Sequence, residues 1–115
     1  MSNVKYLKNI TPEEVLDLKG LITYQEGQVV SRTLAQNPAV SLTLFAFGEN
    51  EEISTHASTG DAMVVVLEGS VQIMIGDNEH ILHEGQTIVM PAGIPHSLRA
   101  LSLFKMMLTV VFPSK

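Results

Sequence analysis

Four histidines, at positions 56, 80, 83 and 96, are the side chains of this 115-residue chain best suited to do chemistry. Neutral imidazole titrates close to physiological pH, so it can take up and return a proton, and its unprotonated nitrogen ligates transition metals. Cysteine is absent, which removes disulfides, thiolate ligands and thiol nucleophiles together. Any metal must therefore be held by histidine, carboxylate or water. His80 and His83 flank Ile81-Leu82, and their odd separation sends them to opposite faces of a strand, so one should be exposed; lying before Gly85, each reads as a surface residue and neither as a ligand. Lys105 interrupts the apolar run Leu103 to Leu108, where an ammonium must either emerge at the mouth of a barrel or meet an anionic group. Arg99 lies three residues after His96, on the opposite parity of a regular strand, and reads as exposed.

The chain around these residues is rich in core material. With 45% hydrophobic and 17% charged residues it reads as one domain over residues 1–115, and a chain of this length buries roughly two thirds of its unfolded surface without staples. The apolar surplus in so small a domain points to a homo-oligomer, and the early strand Val29–Leu34 could add to the sheet of a second copy to make a homodimer. A net charge of −5 with seven scattered Lys and Arg residues argues against nucleic acid and anionic membrane surfaces as partners. The first residues, Met1-Ser2-Asn3-Val4-Lys5, lack the apolar core of a signal peptide, and no apolar run is long enough to cross a bilayer. The expected location is the cytoplasm.

Local signals divide the chain into one helix and a series of strands. Thr11-Pro12-Glu13-Glu14 has a threonine cap, a proline at the first helical position and a glutamate three residues after the cap, so a short helix is predicted over about residues 11–19, stopped at Gly20. From Leu21 to about residue 112 the pattern turns β-like, with strands predicted near Val29–Leu34, Ser41–Phe47, Ala62–Leu67, Ser70–Ile75, His80–His83, Thr87–Met90, His96–Ala100 and Phe104–Val111. Glu68-Gly69 and Gly76-Asp77-Asn78 read as hairpin turns. The run Met63 to Leu67 is apolar on both faces, as in a strand that lines a barrel on one side and is covered on the other. Many short strands with turns at this spacing make a sandwich or barrel of all-β class. Pro91, Gly93 and Pro95 force a sharp approach to His96 and read as scaffold.

Two stretches carry a resemblance. Gly48-Glu49-Asn50-Glu51-Glu52-Ile53-Ser54-Thr55-His56-Ala57-Ser58 with Val66-Leu67-Glu68-Gly69 resembles the first cupin motif, and Gly85-Gln86-Thr87-Ile88-Val89-Met90-Pro91-Ala92-Gly93-Ile94-Pro95-His96 resembles the second. The resemblance implies a small single-domain cupin: a double-stranded β-helix, or jelly-roll barrel. In that family the motifs supply three histidines and a glutamate to a divalent metal. His56 falls on the first histidine position and His96 on the last, but Ser58 stands where the second histidine belongs and Ala62 where the glutamate belongs. The nearest carboxylate, Asp61, is offset by one residue and points to the opposite face unless a bulge intervenes. The implied metal set is therefore degenerate, reduced to His56 and His96, which could weakly hold zinc, nickel, iron, manganese or copper.

The resemblance further implies a ligand pocket inside the barrel, lined by His56, Ser58, Val64, Val66, Met90, His96 and Leu98 and suited to an apolar or mixed small molecule. Two functions follow as expectations. One is a binding protein that holds a small molecule in the barrel. The other is a metal-dependent enzyme of oxygenase, isomerase or decarboxylase type acting on a small organic substrate. The fold itself does not choose between them.

Overall fold

A computed structural model describes residues 6–114. Among them nine strands form two antiparallel sheets. The strands are β1 (Val29–Gln36), β2 (Val40–Phe47), β3 (Glu52–His56), β4 (Asp61–Glu68), β5 (Ser70–Ile75), β6 (Asn78–His83), β7 (Thr87–Met90), β8 (His96–Ala100) and β9 (Phe104–Val111). One sheet has the order β1-β2-β9-β4-β7 and the other β3-β8-β5-β6. The chain thus crosses repeatedly between sheets, as a jelly roll requires.

Alternation along the strands decides which side chains meet between the sheets. Ala62, Val64 and Val66 of β4, Val71 and Ile73 of β5 and Leu98 of β8 point inward and are buried, together with Phe47, Phe104 and Met106. Phe47 and Phe104 close the core with tilted rings 5.1 Å apart. The opposite face of β4 is only partly covered: Met63 is 40% exposed and Val65 half-buried. A second cluster lies outside the sandwich, where Ile22, Leu34, Leu44 and Ala46 pack with Ile10, Leu18 and Tyr24. The segment before β1 therefore serves as a cover for the outer face of β1 and β2. Lys8 N–H donates to the Leu34 carbonyl at 2.8 Å and Asn9 Nδ2 to that of Thr33 at 2.7 Å, so this segment also occupies part of the β1 edge.

Three local expectations need correction. The helix predicted over 11–19 is absent; its place is taken by turns and by one 3-10 turn at Leu18–Leu21. Glu13 has φ 57, a left-handed value that breaks a helix in its first turn, and Val15, the first large apolar residue after the cap, is fully exposed. So short a helix is marginal without packing, and good caps do not replace an apolar face. Second, Glu68-Gly69 is not a hairpin, because β4 and β5 belong to different sheets. It is the corner between them: Gly69 has φ 79, and a Cβ there would come within 2.0 Å of the Leu103 carbonyl oxygen. The Gly76-Asp77 turn does close a hairpin, with Ile75 paired to Asn78. Third, β3 was not anticipated. Its sequence Glu-Ile-Ser-Thr-His has one apolar residue, and such a strand at a sheet edge carries almost no hydrophobic alternation.

Candidate functional site

β3 and β8 bring two motif histidines together. Glu52 pairs with Arg99 and Ile53 with Leu98, but His56 then pairs with His96, so β3 gains one residue between Ile53 and His56. Without that bulge the odd separation would turn His56 outward. With it, Ile53 and His56 share the inner face, opposite Leu98 and His96. The imidazole rings lie edge to face with centroids 4.4 Å apart.

Each ring is oriented by its own backbone. His56 Nδ1 lies 2.9 Å from the Ser54 carbonyl and His96 Nδ1 3.2 Å from that of Ile94. A carbonyl can only accept, so in the neutral rings the proton sits on Nδ1 and Nε2 keeps its lone pair. His96 is 3% exposed, whereas His56 is open to solvent. Burial lowers the pKa of His96 below its ordinary value and the nearby His56 adds to this, against a smaller opposing effect of the Ile94 carbonyl.

The loops that flank the pair are tied to each other. Gly93, at φ 76, donates its N–H to the Ser58 carbonyl at 2.8 Å, and the Ala92 N–H donates to Asp61 Oδ1 at 2.8 Å. Asp61 is thus an exposed brace for the approach to His96. Ala62, at the glutamate position of the motif, faces inward with Met90 and Val110 as cross-strand partners. The carboxylate position of the motif is filled by a methyl group.

A cavity of about 310 Å³ opens beside the two rings. Of the residues expected in it, His56, Ser58, Met90, His96 and Leu98 line it. Val64 and Val66 do not: they are buried deeper in the closed core. Inward parity was right for both, but parity says nothing about depth along the barrel. The lining also includes Phe45, Ile53, Ala57 and Ala62, and Met106, Leu108 and Val110 along β9. The β9 residues alternate in sequence and could have been found from that period; Phe45 and Ile53 needed the register of β2 and β3. A larger depression of about 620 Å³ beside β6 and β7 is an open surface feature with one histidine, His80, and we assign it no chemistry.

Other sequence candidates lie elsewhere. His83 is exposed with Nδ1 2.7 Å from Ser70 Oγ, and His80 sits half-buried on the other face of β6. Arg99 is exposed and donates to Gln72 Oε1 at 3.1 and 3.2 Å. Lys105 does not line the cavity, and among the described residues it meets no anion. Its Nζ donates to the Lys19 carbonyl at 2.6 Å and sits 4.8 Å from the centre of the Tyr24 ring, beneath the covering segment. Tyr24 donates to Glu68 at 2.5 Å, and burial together with that carboxylate pushes its phenol pKa up.

The cupin-domain profile matches residues 43–112, a span that holds both histidines, the bulge and the cavity walls. The chain belongs to the cupin family. This cupin is 43% identical to a conserved protein of unknown function from Streptococcus pyogenes, over 99% of its own length and 100% of the other's, with a TM-score of 0.95. It is 31% identical to a cupin superfamily protein from Desulfitobacterium hafniense, covering 95% and 100% of the two chains with a TM-score of 0.91. A cupin 2 conserved barrel domain protein from Leptotrichia buccalis is 35% identical over 84% of this chain and 47% of that one, with a TM-score of 0.81. No curated protein matches. The four-ligand centre implied by the motifs is not assembled: among the described residues no three His, Asp or Glu side chains gather where they could hold a metal. No helix among them is long and apolar enough to cross a membrane.

Proposed function

We propose that this cupin binds a small, largely apolar molecule inside the barrel, with His56 and His96 as the polar contacts that orient it. The observation that carries this reading is the cavity: about 310 Å³, walled by side chains such as Phe45, Leu98, Met106 and Leu108, with two imidazoles at one side. That volume is at the low end for ligand pockets, which combine apolar walls with a few convergent polar groups in the same way. Benzene is the simplest probe of it, since dry apolar cavities of roughly half this size take up benzene. On titration with benzene, the methyl resonances of Leu98, Met106 and Leu108 are expected to shift saturably. Their failure to move would overturn the reading.

A second reading is a metal-dependent enzyme, and one observation favours it: both Nδ1 atoms rest on backbone carbonyls, an arrangement that presents Nε2 to a metal. His56 and His96 would be the ligands, with Ser58 and Ala62 in place of the missing pair. Two imidazoles alone make a weak site. Metal analysis of protein purified without a polyhistidine tag is expected to find less than one equivalent. A full equivalent that disappears in both His56→Ala and His96→Ala would establish the second reading instead.

The partner we propose is a second copy of the chain. Because Lys8 and Asn9 take up the Leu34 and Thr33 carbonyls, strand addition along β1 is restricted to its Val29–Ser31 half. Light scattering that gives a monomer at micromolar concentration would remove the homodimer.

A further inference from the structure

What the cavity lacks narrows its ligand further. None of its twelve lining residues is Asp, Glu, Lys or Arg. A carboxylate, phosphate or ammonium enclosed there would give up its hydration with no opposite charge to replace it. The polar groups that do line it are the two imidazoles and Ser58. Both imidazoles have Nδ1 committed to a backbone carbonyl, so the proton is held there and each Nε2 is left as an acceptor for whatever binds beside the rings. Ser58 Oγ accepts the Gly60 N–H at 3.1 Å, which leaves its own proton to donate. The site therefore pairs acceptors with a single donor.

Building on the reading of the cavity as a ligand site, we propose that it selects uncharged molecules whose polar end is one hydroxyl, an alcohol or phenol. Such a group donates to an imidazole Nε2 and accepts from Ser58, while its hydrocarbon body lies on Phe45, Leu98, Met106 and Leu108. An ether or ketone has no proton to give and leaves the buried imidazole of His96 without a partner for its Nε2. A carboxylate sets its own lone pairs against theirs. Sites built around a substrate hydroxyl reject analogues that lack it far more strongly than apolar pockets reject a methylene.

The test compares three ligands of one shape. Protein dialysed against EDTA, so that no stray metal sits on the imidazoles, is titrated calorimetrically at pH 8 with p-cresol, 4-methylanisole and 4-methylbenzoate. p-Cresol is expected to bind at least ten-fold more tightly than either of the others. His56→Leu, on the exposed edge strand, and Ser58→Ala are each expected to cut its advantage over 4-methylanisole at least three-fold. The inference is overturned if 4-methylbenzoate binds as well as p-cresol, if 4-methylanisole matches it, or if both variants keep the full preference. Should that happen while benzene still binds, the cavity remains a ligand site and only its selectivity has been misassigned. If no probe binds, benzene included, both readings fall.

Discussion

His96 and His56 face each other across paired strands, yet they occupy opposite physical regimes. His96 lies on β8, an inner strand with neighbours on both sides, and is 3% exposed. His56 lies on β3, an edge strand, reaches the inner face only through a bulge and is open to solvent. One imidazole is part of the packed wall. The other closes the mouth of the cavity and can be altered without disturbing the core. In a two-histidine motif the roles are therefore unequal: β8 supplies the fixed acceptor, and β3 the adjustable one.

Substitution should expose this asymmetry most strongly in stability. His96→Ala removes a buried ring and leaves the Ile94 carbonyl without its donor, and is expected to cost about 2 kcal/mol in urea unfolding. His56→Ala at the exposed position is expected to cost about 0.5 kcal/mol or less. Equal losses would erase the distinction between the two strands.

The pH dependence gives a smaller effect with a definite sign. Because the folded pKa of His96 is lowered from the ordinary 6.5, the unfolded chain binds the extra proton first as pH falls. Its contribution to stability is complete above the unfolded pKa and declines as pH drops through 6.5 towards the folded value. Urea midpoints measured between pH 8 and pH 5 should fall with pH, and the fall should be shallower in His96→Gln. An unchanged slope in that variant would place the sensitivity elsewhere.

The smallest expected effect concerns the bulge itself. Deleting Thr55 leaves Ile53 and His56 separated by an even step on a regular strand, so His56 should still face the cavity. Benzene and p-cresol should then bind the deletion variant within a few-fold of the wild type. Loss of p-cresol binding with benzene binding intact would mean that the bulge sets a ring position the regular strand cannot reproduce.

Much of this arrangement was legible before any coordinates. Runs such as Ser70–Ile75 and Thr87–Met90 are short, rich in β-formers and bounded by Gly76 and Pro91, and their strands formed where expected. The resemblance put Ala62 on the glutamate position, and Asp61 turned outward followed from its one-residue offset on a strand. Other features had no local signature. The polar strand β3 is held by its neighbour β8, and its bulge depends on register, which a single strand does not encode. Thr11 to Glu14 has the chemistry of a helix start, but nothing in that stretch reveals that Val15 would have no surface to pack on. Val64 and Val66 differ from Met90 in depth, a property of how the sheets close.

Selection of a hydroxyl requires both imidazoles to carry their proton on Nδ1 and to keep Nε2 free as an acceptor. Long-range nitrogen–proton correlation spectra of the histidine rings at pH 8 report this directly. The predicted result is the Nδ1–H tautomer for His56 and His96, with both Nε2 resonances moving saturably when p-cresol is added. An Nε2–H tautomer at His96, or Nε2 signals indifferent to p-cresol, would contradict it.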